Sequence, residues 1–186
     1  MKLRISLGLL AFASATMACS IFVGGPALPE PPVAAPPDAF QALQSQIETA
    51  VLNSLSDGVL RLSITQEQLT AFLVSRLSNQ PEPLIASPQV VLRSGEMIIY
   101  GRARSWIFEA NMAVTTIFTI DQDGRPEILI SHAELGPMPM PTALRDAIGA
   151  ALNEALTGAV GPVALGFRLE SIDIVDGTLT LTGRLR

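Results

Sequence analysis

The sequence predicts an α+β fold in which an antiparallel sheet is covered by helices. Three observations carry that prediction. Between Gln89 and Leu135 apolar residues recur with a period of two, interrupted by turn signals. Three other stretches carry apolar residues at helical spacing. Near the C-terminus, Asp176-Gly177 joins two further strand-like runs, a strong two-residue hairpin signal.

In chain order, Lys2 and Arg4 precede an apolar run from Ile5 to Ala18, which reads as the n- and h-regions of an export signal and is short for a membrane span. Thr16-Met17-Ala18-Cys19 resembles the lipobox of bacterial lipoproteins, in which a small residue precedes a cysteine that receives diacylglycerol. Ala18 fits that pattern, whereas Thr16 stands where leucine is usual. An ordinary signal peptide cleaved near Ala18, or an uncleaved anchor continuing through Val23, are the alternatives. Cys19 is the only cysteine, so no intramolecular disulfide forms. Residues 1–18 are thus read as a signal peptide, 19–37 as a lipidated cysteine with a proline-rich tether, and 38–186 as one domain. Ser20 to Pro37 contains six prolines and predicts an extended spacer that holds the domain off a membrane.

Asp38 to Ser56 reads as a helix. Phe40, Leu43, Ile47, Val51 and Leu55 make its apolar stripe, Asp38 its N-cap, and Asp57-Gly58 its stop. A short strand places Leu60, Leu62 and Ile64 on one side. Thr65 and Gln68 then form a capping-box pattern ahead of a second helix striped by Leu69, Phe72, Leu73 and Leu77. Ser94-Gly95 predicts a tight turn inside the meander, and Asp121-Gln122-Asp123-Gly124 closes its longest strand. Beyond Gly136 and three prolines, a third helix runs from about Thr142 to Thr157. Arg145, Asp146, Gly149 and Asn153 form its narrow polar side, so the pattern predicts a buried helix. The final hairpin is expected over Val163–Val175 and Thr178–Leu185.

Composition excludes several function classes. Among the 186 residues, 48% are apolar and 16% charged, with a mean hydropathy of +0.41. After the N-terminal segment there are ten arginines, no lysine and 17 acidic residues, a net charge of −7. No basic stripe suited to nucleic acid is present. His132 is the only histidine, and no Gly-x-Ser-x-Gly elbow accompanies it, so neither a hydrolase triad nor any other catalytic residue is expected. Metal ligands lack clustered spacing, and Asp121, Asp123 and Gly124 fit a turn better than a Ca²⁺ loop. No cofactor is implied. Glu109 and Glu134 interrupt apolar strands and are expected to face solvent, with pairing to Arg102 or Arg104 as the alternative.

Three stretches carry a family resemblance. Ile64-Thr65-Gln66-Glu67-Gln68-Leu69 resembles a helix start in the YpmS-like and LmeA-like envelope proteins. Ala133 to Pro141 is similar to their strand-to-helix junction, and Ile172 to Gly183 to their closing hairpin. Together these motifs cover roughly Gly58 to Arg186. The resemblance implies a fold related to the tubular lipid-binding superfamily, a curved antiparallel sheet wrapped around a long helix, and extracytoplasmic lipid binding without catalysis. Its motifs are structural and carry over no ligand-contacting residue.

The candidate contacts to a lipid come from the chain itself. They are Phe72, the Trp106-Ile107-Phe108 cluster, and Ile148, Ala151 and Leu152 of the third helix, where small alanines predict space for an acyl chain against the meander. The functional expectation is a lipoprotein of the cell envelope, anchored to a bacterial membrane through Cys19, with a lipid or acyl chain as partner. The rival is an adaptor that offers a sheet edge or apolar patch to a protein partner.

Overall fold

Alternation in the central strand organises the molecule. A computed structural model describes residues 21–78, 85–104, 108–157 and 166–185. Its elements are β1 (Ile21–Phe22), α1 (Ala39–Asp57), β2 (Val59–Thr65), α2 (Gln66–Ser78), β3 (Ile85–Arg93), β4 (Glu96–Arg104), β5 (Phe108–Ile120), β6 (Pro126–Leu135), β7 (Met138–Pro139), α3 (Thr142–Thr157), β8 (Phe167–Val175) and β9 (Thr178–Leu185). Met112, Val114 and Thr116 of β5 are buried on one face, as their spacing predicts. The α+β class and the antiparallel meander stand. Strands β3 to β7 form one sheet in sequence order, with β1 added in parallel to β5, and β2, β9 and β8 form a second sheet.

The turns stitch the two sheets together. Ser94-Gly95 and Asp176-Gly177 have φ of +53°, +82°, +43° and +80°, which two-residue hairpins of this hand require. These two turns meet, because the Gly95 amide donates to Ile174 O at 3.2 Å and the Gly177 amide to Leu92 O at 3.0 Å. At the far end, Leu169 N–H donates to Gly124 O at 2.9 Å. Gly124 is required there, since a Cβ would lie 2.1 Å from Arg168 Cγ. Asp121 Oδ1 accepts the amides of Asp123 and Arg125 at 2.9 and 2.8 Å, so this loop is a side-chain-stabilised turn.

The larger core lies between α1, α2, the second sheet and the near half of β3–β5. Leu60, Phe167, Leu92 and Met97 are among its most buried members. A smaller cluster of Met112, Val114, Ala133 and Met140 lies at the other end of the large sheet, against α3. The capping box forms as expected: Thr65 N–H donates to Gln68 Oε1 at 2.9 Å and Gln68 N–H to Thr65 Oγ1 at 3.3 Å. Asp38 makes no side-chain cap, and the stripe of α1 drifts at its end, leaving Leu55 exposed and Ser54 buried.

Two expectations need correction. Helix α3 is not buried: Ala147, Ala150 and Ala151 face solvent, Leu144 and Ile148 are half-buried, and Leu152 alone is fully covered among its described side chains. Of its expected polar side, Gly149 and Asn153 meet the sheet, while Arg145 and Asp146 are exposed. Asn153 Oδ1 accepts from Ile128 N–H, and its Nδ2 donates to Ile128 O, both at 3.1 Å. Gly149 lets the helix approach, because a Cβ there would sit 3.3 Å from Ile130 Cδ1. An exposed strand edge exerts a stronger demand than a run of alanines, whose burial gains little.

Residues 21–37 of the proline-rich segment, expected to be a free spacer, are docked on the sheet. Strand β1 takes the place beside β5 that β6 has vacated, with Ile21 opposite Phe108. Val23 N–H donates to Glu109 O, and Asn111 N–H to Gly24 O, both at 2.9 Å. Asn111 Nδ2 donates to Pro26 O at 3.1 Å, and Val33 N–H reaches Gln89 Oε1 on β3 at 2.9 Å. Gln89, Tyr100 and Ala113 are register partners, so this strap crosses the face opposite Val90 and Val114. Prolines suit it, for they fix an extended chain and leave few amides to satisfy.

Candidate functional site

Among the described residues, two apolar hollows of about 120 Å³ each stand out. The first lies in the larger core. Helix α1 supplies Phe40, Leu43, Gln44 and Ile47, and α2 supplies Leu69, Phe72 and Arg76. The opposite wall is Leu62 and Ile64 of β2, Leu169 and Ile172 of β8, and Leu179 and Leu181 of β9, with Phe118 and Pro126 closing one end. Large side chains line every wall. The space arises because two helices bridge two sheets, so the elements stand apart without small residues between them.

Arg76 is the one charged residue of this lining among the described residues. It follows Phe72 by four positions and therefore shares its face of α2. The guanidinium carbon lies 5.4 Å from the centroid of the Phe72 ring, a stacked arrangement that keeps the cation beside apolar surface. Phe40 meets Phe72 with ring centroids 6.2 Å apart, fixing the aromatic floor.

The second hollow lies between the end of the large sheet and α3. Ile85, Ala103, Arg104, Phe108, Met112, Leu135, Leu144 and Ile148 line it. Glu109 is half-buried nearby, and its two oxygens lie 3.5 and 3.6 Å from Arg102 and Arg104. It is therefore paired and not simply solvent-facing.

The sequence-predicted contacts divide between the hollows. Phe72 lines the first, and Phe108 and Ile148 line the second. Ala151 is exposed, and Leu152 belongs to the core without lining either hollow. Cys19 and Trp106 lie outside the described residues. Arg76, Phe40, Ile47 and the β8–β9 wall were not anticipated. A signal for Arg76 existed, since a cation one turn beyond Phe72 interrupts an otherwise apolar stripe.

No chemistry-bearing cluster accompanies either hollow among the described residues. His132 Nε2 lies 3.1 Å from Glu134 Oε1, and both side chains are exposed. No group of three or more metal-ligating side chains occurs among the described residues. Asp57 is held below the usual carboxylate range by the Val59 amide and Arg61. For Glu67, burial pulls upward, but its own amide, the Thr65 hydroxyl and Gln66 outweigh it and lower the pKa. Both acids stand at helix ends, apart from the first hollow. No described helix is long and apolar enough to cross a membrane. No family model, no curated protein and no solved structure matches this chain.

Proposed function

We propose that the protein is a non-catalytic lipid-binding lipoprotein of the cell envelope, anchored through acylated Cys19 and distantly related to the tubular lipid-binding superfamily. Its binding site is the hollow between α1, α2 and the three-stranded sheet. The carrying observation is that hollow: an apolar space of about 120 Å³ in the main core, walled mainly by Phe, Leu and Ile, with Arg76 in its lining. A cavity of about 150 Å³ lined by such residues stays dry and takes up benzene. The space here therefore suits on the order of six carbons of an acyl chain. At about 0.8 kcal/mol per methylene, six carbons contribute roughly 5 kcal/mol before ordering costs.

The adaptor reading finds less support, because contacts within the chain occupy parts of β3 and β6 at the edges of the large sheet. Thr70 Oγ1 accepts Val90 N–H at 2.9 Å and Gln66 Oε1 accepts Leu92 N–H at 3.4 Å along β3, while Asn153 caps β6. A partner adding a strand would have to displace these contacts. The test is native mass spectrometry of the purified full-length protein, together with uptake of the apolar fluorophore N-phenylnaphthylamine. Bound lipid and saturable uptake, both reduced by Leu62→Phe in a folded protein, are expected. An empty protein without uptake would overturn the reading.

A further inference from the structure

We infer that the ligand of the first hollow is a single-chain amphiphile with an anionic head, and that Arg76 reads that head. This rests on the lipid-binding reading and names its ligand class. Three observations carry it. The hollow's size admits one short chain segment and not a pair of chains. The apolar segment alone binds weakly, so a second contact is needed to retain a ligand. The cation in the lining has no carboxylate partner among the described residues, a state it shares with Arg93, Arg125 and Arg168, and of these four it alone lines the hollow.

Arg61, Arg102, Arg104, Arg145 and Arg184 each pair with a carboxylate. Arg76 has no carboxylate partner among the described residues and rests over Phe72. The domain is acidic overall, so a solitary guanidinium at an apolar site is out of keeping with the bulk charge. A guanidinium presents up to five donors in a planar fork, which matches a carboxylate or phosphate. Arg76 is exposed and rests over Phe72, a contact that steadies its stem beside the hollow. Gln44, across on α1, supplies an amide at the same site. A head engaged by Arg76 would leave its chain against Phe72, Phe40 and Leu69, with the chain end toward β9.

Displacement of N-phenylnaphthylamine from the full-length protein tests this, using octanoate, octyl phosphate and octanol as competitors. One or both anions should displace the fluorophore at about tenfold lower concentration than octanol. Whichever anion is stronger identifies the head as carboxylate or phosphate. Arg76→Gln, with an unchanged circular dichroism spectrum, should remove the anion preference and leave octanol unaffected, and Arg76→Lys should restore it in part. Equal competition by all three, or an Arg76→Gln effect common to all three, would overturn the inference. Failure of every competitor while Leu62→Phe still blocks the fluorophore would overturn it as well, with the lipid-binding site intact. A fluorophore that never binds would remove the lipid-binding reading itself, and this inference with it.

Discussion

The two hollows have the same volume and opposite origins. The one under α3 lies where a helix leans on a strand edge and leaves half-buried Leu144 and Ile148 above the sheet. The one under α1 and α2 lies in the largest core of the molecule, although large Phe, Leu and Ile side chains make most of its lining. Small side chains are therefore a poor guide to interior space. The described alanines of α3 are outside, and the space within the core comes from the separation of elements. Packed interiors normally close such gaps. One that persists among large residues is a better ligand site than one left by a lightly seated helix.

Truncation at the aromatic floor has the largest expected effect. Phe72→Ala should destabilise the protein by about 3–5 kcal/mol, read by urea unfolding, because it removes the aromatic floor of the first hollow. Leu144→Ala, a half-buried residue of the second, should cost clearly less. Similar losses would show that the two hollows are equally integral. Next in size is Asn153→Ala, which strands both polar groups of Ile128 and should cost about 1–3 kcal/mol. Ala151→Phe, on the exposed face of α3, should stay within about 0.5 kcal/mol. A reversed order would restore the alanine face as the buried one.

The meander, the capping box and both two-residue turns were legible because their signals are local: period, cap spacing and positive-φ residues. The orientation of α3 was not. The hydrophobic pattern favoured burying Ala147, Ala150 and Ala151, and the deciding interaction is Asn153 with Ile128, 25 positions apart. A side-chain amide substituting for a strand leaves no periodic trace. The first hollow was half legible. Phe72 marked it, but the opposing wall comes from a hairpin a hundred residues later, and no window of sequence shows that β8 and β9 meet α1 and α2. The docked strap was hidden for a related reason, since proline-rich composition specifies an extended chain and not what it lies against.

Gly25→Val should release the strap, because a Cβ at residue 25 would lie 2.5 Å from Asn111 O and the residue has φ of +127°. The expected loss is about 1–2 kcal/mol in urea unfolding, and no change would show that the strap rests on the sheet without stabilising it. The smallest effect is on pH dependence. Glu67 has a lowered pKa in the folded state, so its contribution is present above the pKa of the unfolded chain and is lost as pH falls through the lower folded value. Thermal midpoints measured downward from neutral pH should therefore fall less steeply in Glu67→Gln than in the wild type. Parallel curves would remove Glu67 from the acid response.

The docked strap also changes the mechanics of attachment. Seventeen free residues from Ile21 to Pro37 could extend roughly 55–60 Å at about 3.3–3.6 Å per residue. Bound across β5 and β3, they contribute almost none of that length. For a chain anchored at Cys19, as proposed, the domain is then confined to a thin layer at the surface, and its effective concentration there rises as the free linker shortens. Release of the Asn111 contacts would do the reverse, letting the same anchored molecule sample a much deeper volume without a change in its fold.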